Sequence, residues 1–187
     1  NGLIITNELK DKYCRNIASE ITPEIYLGNR NASYNKKHLL NLNNKISLIF
    51  KNYNENFSIK FYKELKTFCH KAGFKIYLAN NTKIANSLEF DGAYLPSFNK
   101  EIVYTSRNTP KNFKLLGSAH NIKDIKIKEK QGVDLLFLSP VFKKKNKRHL
   151  KIYNFLRLSR ATNIETAALG GINSRNIKLL NLYGIKN

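Results

Sequence analysis

Methionine and tryptophan are absent from this chain, cysteine occurs twice and proline four times, and only 13 residues are acidic. Cys14 and Cys69 are too few and too far apart for a disulfide scaffold or a thiolate metal pair, so reduced thiols in a cytoplasmic protein are expected. No apolar run reaches the roughly eighteen residues that a membrane-spanning helix needs, which leaves no membrane partner. The first twenty positions carry Glu8, Lys10, Asp11 and Lys12 and lack the apolar core of a secretory signal.

The scarcity of acids leaves a formal net charge of +20. Such a balance raises nucleic acid as a partner, because clustered Lys and Arg gain affinity by releasing phosphate counterions. The distribution argues otherwise. Lysine and asparagine each occur 26 times and isoleucine 19 times, whereas arginine occurs seven times. That is the signature of an A/T-rich genome, which scatters lysines without selecting a partner. Dense basic runs occur only at 123–130 and 143–148, and no nucleic-acid module signature is present, so nucleic acid is discounted.

A chain of 187 residues is long enough to bury one core, and it is expected to form a single domain over 1–187 with an irregular, helical N-terminal segment over 1–23. Strand and helix patterns alternate along it, as α/β architecture requires. Apolar stretches at Ile46–Phe50, Phe74–Ala79, Asp91–Leu95, Leu115–Gly117, Val133–Leu138 and Glu165–Leu169 read as strands. A helix with apolar positions from Ile59 to Ala72 is expected to be capped by Ser58 and stopped by Gly73. Lys83–Leu88 forms a short segment between strands. Asn121, with Asp124 at the third position, predicts a helix ended by Gly132, and another is expected to start at Asn173 or Ser174 and end at Gly184. The first strand is either Ile25–Gly28 or Leu3–Thr6; the former gives the more normal interval to Ile46 and is preferred. The rhythm is that of a (β/α)8 TIM barrel, and with the sequence ending at 184–187 two alternatives stay open, a fragment or a barrel that closes on an incomplete last strand.

Barrel active sites lie where strands give way to helices. Three stretches with chemical potential fall there. Ser118 and His120 follow the Leu115–Gly117 strand one residue apart, and a histidine titrating near neutrality suits proton transfer. Gly170-Gly171 precedes a helix start, where glycines let the backbone approach an anion and free amides attract phosphate. Ser139-Pro140-Val141-Phe142 leads into a loop of Lys143, Lys144, Lys145, Asn146 and Lys147. His38, His70 and His149 fit no pattern and read as surface residues.

In this order, over about 45–184 and most strongly over 115–172, these motifs resemble the thiamine phosphate synthase/TenI family. The resemblance implies that the Gly170 and Gly171 amides hold the phosphate of a thiazole phosphate or of thiamine phosphate, these small molecules being the partners. It implies that His120 moves protons in TenI-type aromatisation, that Ser118 lies near the pyrimidine in synthases, and that Lys147 matches a pyrophosphate-binding lysine. Ser139 replaces a glycine of the Gly-Pro-Val-Phe loop, and Lys144 and Asn146 replace its two threonines. Lys51 stands where synthases place an arginine at the end of strand two. Asn80-Asn81 stands in place of an Asn-Asp pair whose aspartate binds Mg²⁺, and the second magnesium aspartate falls on or near Asn99. Neutral amides bind this hard cation poorly. Mg²⁺ is therefore expected only for the synthase reaction, with its carboxylates replaced, and a tautomerase-like transfer by His120 is favoured over coupling. A true synthase and a catalytically degenerate phosphate-binding relative are the alternatives. Oligomeric state, a homo-oligomer included, is left open.

Overall fold

The computed structural model describes residues 47–51, 57–102, 110–143, 149–173, 175–183 and 185, together with the backbone of residues 3–4. Among the described residues the chain order is seven strands and five helices: β1 (Leu3–Ile4), β2 (Ser47–Phe50), α1 (Ile59–Lys71), β3 (Lys75–Ala79), α2 (Thr82–Ser87), β4 (Gly92–Leu95), β5 (Lys114–Ala119), α3 (Ile122–Lys130), β6 (Leu135–Leu138), α4 (Lys151–Ser159), β7 (Glu165–Ala168) and α5 (Ile177–Leu182). The chain divides into two compact units, one of residues 1–94 with 109–113 and one of residues 95–108 with 114–187.

In the first unit β1 to β4 lie side by side in chain order, every pair parallel, with Ser47 opposite Lys75 and Tyr77 opposite Gly92. Strands joined through helices must run this way, because the crossover returns each strand to the same starting edge. Ser58 caps α1 by accepting the Phe61 N–H, and a left-handed Gly73 (φ 80°) turns the chain into β3. The helix lies over the sheet through an aromatic cluster: Phe50 meets Phe57, Phe61 and Tyr62 at ring-centroid distances of 5.6, 5.8 and 6.4 Å. Cys69 is fully buried, and loss of hydration followed by the nearby Asp91 charge pushes its thiol up to about 12. It stays protonated and inert, as a reduced structural cysteine should; Cys14 lies outside the described residues.

In the second unit β5, β6 and β7 are again adjacent and parallel, with Ala119, Leu138 and Ala168 in register at their C-terminal ends. Leu116, Leu136, Leu138, Ile125, Phe155 and Leu158 form its core. Asn121 caps α3 by accepting the Asp124 N–H, and Gly132 (φ 68°) ends it.

Four expectations need correction. The strand beside β2 is Leu3–Ile4 rather than Ile25–Gly28, which lies outside the described residues. A parallel ladder is chosen by hydrogen bonding to a distant segment, so the length of the connection was a poor guide. β5 runs on to Ala119, so Ser118 is inside the strand and not past it. Helix α4 was not anticipated: it opens at Leu150 without a side-chain cap, and Lys151 has φ 60°, so no start signal exists. Helix α5 begins at Ile177, because the Asn173 carboxamide first closes a turn by accepting the Arg175 and Asn176 amides. Ser174 and Gly184 lie outside the described residues.

Candidate functional site

The parallel order of β5, β6 and β7 brings His120, Ser139 and Gly170-Gly171 to the C-terminal edge of one sheet. Two inter-strand spacings of just under 5 Å separate the ends of β5 and β7, which puts them about 10 Å apart. The histidine and the glycines predicted from sequence are thus gathered at one edge of this unit.

His120 is exposed and held from two directions. Its backbone N–H donates to Asp124 Oδ2 at 2.9 Å, and the same oxygen accepts from Asn121 Nδ2 at 3.2 Å. The first turn of α3 therefore fixes where the imidazole leaves the chain. Its Nδ1 meets the Ser139 carbonyl oxygen at 2.5 Å, with the Ser139 hydroxyl at 3.4 Å. A carbonyl oxygen can only accept, so Nδ1 carries a proton, and the tautomer with a lone pair at Nε2 is the one this bond selects. Ser118 is buried in β5 opposite Phe137.

The Ser139–Phe142 segment links the histidine to the glycines. Phe142 N–H donates to the Gly170 carbonyl at 3.0 Å, and Val141 N–H donates to the Leu169 carbonyl at 2.9 Å. Gly170 and Gly171 adopt φ of 92° and 72°. A Cβ on Gly171 would stand 2.6 Å from the Phe142 carbonyl oxygen, closer than real Cβ atoms come, so only glycine fits. The turn closes through Asn176, whose Nδ2 donates to the Gly171 carbonyl and whose Oδ1 accepts the Asn173 amide. An α5 of six residues begins five residues beyond Ile172, so a helix N-terminus directly behind the glycines, as the sequence suggested, is not what the backbone forms.

The other candidates are placed as follows. Lys51 follows β2 with its Nζ 4.6 Å from the centre of the Tyr94 ring, a cation–π contact. Asn80 follows β3 in a left-handed conformation (φ 56°), its N–H on the Tyr94 carbonyl. Asn81 caps α2, its Oδ1 accepting the Ile84 N–H at 3.1 Å. Lys51, Asn80 and Asn81 belong to the first unit, and Lys147 lies outside the described residues. His70 is no idle surface residue: its Nε2 is 2.8 Å from Asp91 Oδ2, which also accepts the Ile76 N–H.

A magnesium ion does not fit the residues at these strand ends. Asn81 Oδ1 is taken by the helix cap, and Asn99 Oδ1 accepts from the Glu101 amide and from Gln131 Nε2. Among the described residues no three His, Cys, Asp or Glu side chains come together as a metal cluster. Nor is any described helix long and apolar enough to cross a membrane.

Two residues that sequence reading did not single out, Lys128 and Gln131, stand next to this region. Lys128 is fully buried, and its Nζ donates to Pro96 O, Asn99 O and Gln131 Oε1. Nothing distinguishes it in sequence from the other lysines of a lysine-rich helix.

The profile of the thiamine monophosphate synthase (TMP-TENI) family matches residues 32–187. A putative thiamine-phosphate synthase 2 of Aquifex aeolicus is 33% identical over 134 residues, which cover 67% of this chain and 70% of that protein. A thiamine-phosphate synthase of Prochlorococcus marinus is 30% identical over 128 residues, covering 66% of this chain but only 37% of the larger relative. The chain thus spans little more than a third of that relative's length. Among solved structures, a thiamine phosphate pyrophosphorylase of Pyrococcus furiosus superposes with a TM-score of 0.61 at 17% identity, over 89% of this chain and 78% of the other. The citrate synthase SbnG gives a TM-score of 0.58 at 7% identity over 81% of this chain and 78% of its own, which shows that such a fold also carries unrelated chemistry. With the family profile spanning most of the sequence and the parallel α/β fold in agreement, the chain belongs to the thiamine monophosphate synthase family.

Proposed function

We propose that the protein is an enzyme of thiamine biosynthesis that acts on a thiazole phosphate, with His120 transferring a proton, on a (β/α)8-type barrel whose second unit carries the reacting edge. The observation that carries this is the His120 imidazole held at Nδ1 by the Ser139 carbonyl, with the residue's backbone N–H fixed by the Asp124 carboxylate, which leaves Nε2 as a directed base. Deprotonating a ring carbon and reprotonating elsewhere makes an aromatic thiazole without an external oxidant or metal. The backbone amides of the Gly170–Ile172 turn would take the phosphate. Ser118, buried in β5 of the same unit, would lie beneath the thiazole ring.

A second reading, coupling of a pyrimidine diphosphate to the thiazole phosphate, is favoured by the names of the relatives. It asks for carboxylates on Mg²⁺, and the two asparagine oxygens at the corresponding places are already engaged. Paired assays separate the readings. Incubation with the unaromatised thiazole phosphate in the absence of divalent ions should give the aromatic product. Formation of thiamine phosphate from the two precursors with Mg²⁺, without aromatisation, would replace this proposal by the coupling reading. Neither product would mark a binding-only relative.

A further inference from the structure

We propose that Lys128 and Gln131 of α3 form a built-in cation clamp that positions the Pro96–Glu101 segment following β4, so that this edge is ordered by a tethered ammonium and needs no divalent ion. Three oxygens converge on Lys128 Nζ: Pro96 O at 2.9 Å, Asn99 O at 2.8 Å and Gln131 Oε1 at 2.8 Å. An ammonium has three protons to give, and each has an acceptor. Gln131 completes the arrangement from its other end, Nε2 lying 2.6 Å from Glu101 O, 3.0 Å from Asn99 Oδ1 and 3.3 Å from Asn99 O.

The segment closes on itself around these donors. Asn99 N–H donates to Pro96 O, and Glu101 N–H donates to Asn99 Oδ1. Every oxygen of Asn99 is therefore spent on holding the segment's shape, which is why this residue is a structural acceptor and not a metal ligand. The lysine stem reaches the cage by passing over Gly117 of β5, where a Cβ would meet Lys128 Cδ at 3.1 Å. Lys128 and Gln131 are 0% and 2% exposed, so water does not compete for these bonds. A buried charge with all its protons bonded is stable in place, and removing one partner leaves several carbonyls unsatisfied. Burial lowers the lysine to about 8, with Asp124 on the same helix opposing the shift. Pro96, Asn99 and Gly117, which face it from the segment and from β5, do not titrate, and it remains an ammonium at neutral pH.

The clamp goes beyond the functional assignment above, and its test uses no substrate, so its failure is separate from failure of that assignment. Amide hydrogen exchange at Asn99 and Glu101 in the intact protein is the primary readout. Lys128→Met should accelerate exchange at both by about tenfold or more, with β6 and β7 unchanged, and Gln131→Leu should do the same to Glu101 and Asn99. If Lys128→Met does not fold, Gln131→Leu carries the test. In ¹⁵N-lysine-labelled wild type, one ammonium signal should be visible through slow proton exchange, absent from Lys128→Met and titrating below the bulk lysines. Millimolar Mg²⁺ should leave the two amides as they are. Unchanged protection in both variants, no slowly exchanging ammonium, or a gain of protection on adding Mg²⁺ would each overturn the clamp.

Discussion

Replacing His120 by alanine should reduce thiazole aromatisation by about 10²- to 10⁴-fold, the usual contribution of a positioned general base. The melting temperature should barely move, because the side chain is exposed and its main bond is one contact to the Ser139 carbonyl. Two further variants separate chemistry from geometry. His120→Asn can still donate an N–H toward Ser139 but has no nitrogen able to take up a proton, so it should be as slow as alanine. Asp124→Asn keeps the α3 start but weakens the charge-assisted bond to the His120 amide, and a smaller loss, of roughly tenfold, is expected. His70→Ala, which touches Asp91 in the first unit, should leave the rate unchanged. Steady-state rates with circular dichroism melts on the four proteins give the comparison. A His120→Ala enzyme as fast as wild type would remove the imidazole from the mechanism.

Gly171→Ala should be the most damaging single methyl group in the second unit. Holding alanine at φ 72° costs about 1–2 kcal/mol in left-handed strain alone. Its Cβ would also stand 2.6 Å from the Phe142 oxygen and 2.8 Å from the Phe142 carbonyl carbon, both backbone atoms that cannot rotate away. The turn must shift, breaking the Phe142–Gly170 bond and moving the glycine amides. Gly132→Ala is the matched control, since its φ of 68° is similar and no atom lies within 4 Å of the added carbon. Denaturant melts should show Gly132→Ala destabilised by about 1 kcal/mol and Gly171→Ala by clearly more, with loss of phosphate-ligand binding only in the latter. Equal losses would mean that the contact with Phe142 relaxes without consequence.

Much of this geometry is legible in the chain because local chemistry specifies it. Ser58, Asn121, Gly73 and Gly132 mark helix ends through caps that the backbone then forms. The six strands after β1 are short apolar stretches between such marks, and their parallel order follows from the alternation. What escaped has no local signal. β1 is two residues chosen by a partner more than forty positions away, α4 lacks a cap, and the shift of α5 depends on Asn173 and Asn176 bonding to the turn instead of a helix. The site divides in the same way. Ser-x-His and Gly-Gly are readable as motifs, whereas the tautomer of His120 depends on a carbonyl from β6's far end, and the burial of Lys128 depends on acceptors about thirty residues away.

In the proposed function the C-terminal edge of β5–β6–β7 grips a small phosphorylated thiazole between an imidazole and two glycine amides. Amide and imidazole chemical-shift mapping during titration with thiamine phosphate tests it most directly. Shifts concentrated at His120, Ser139 and Gly170–Ile172, saturating together and abolished by Gly171→Ala, are predicted. Saturable shifts confined to the opposite strand ends, around Lys114, Leu135 and Glu165, would contradict it.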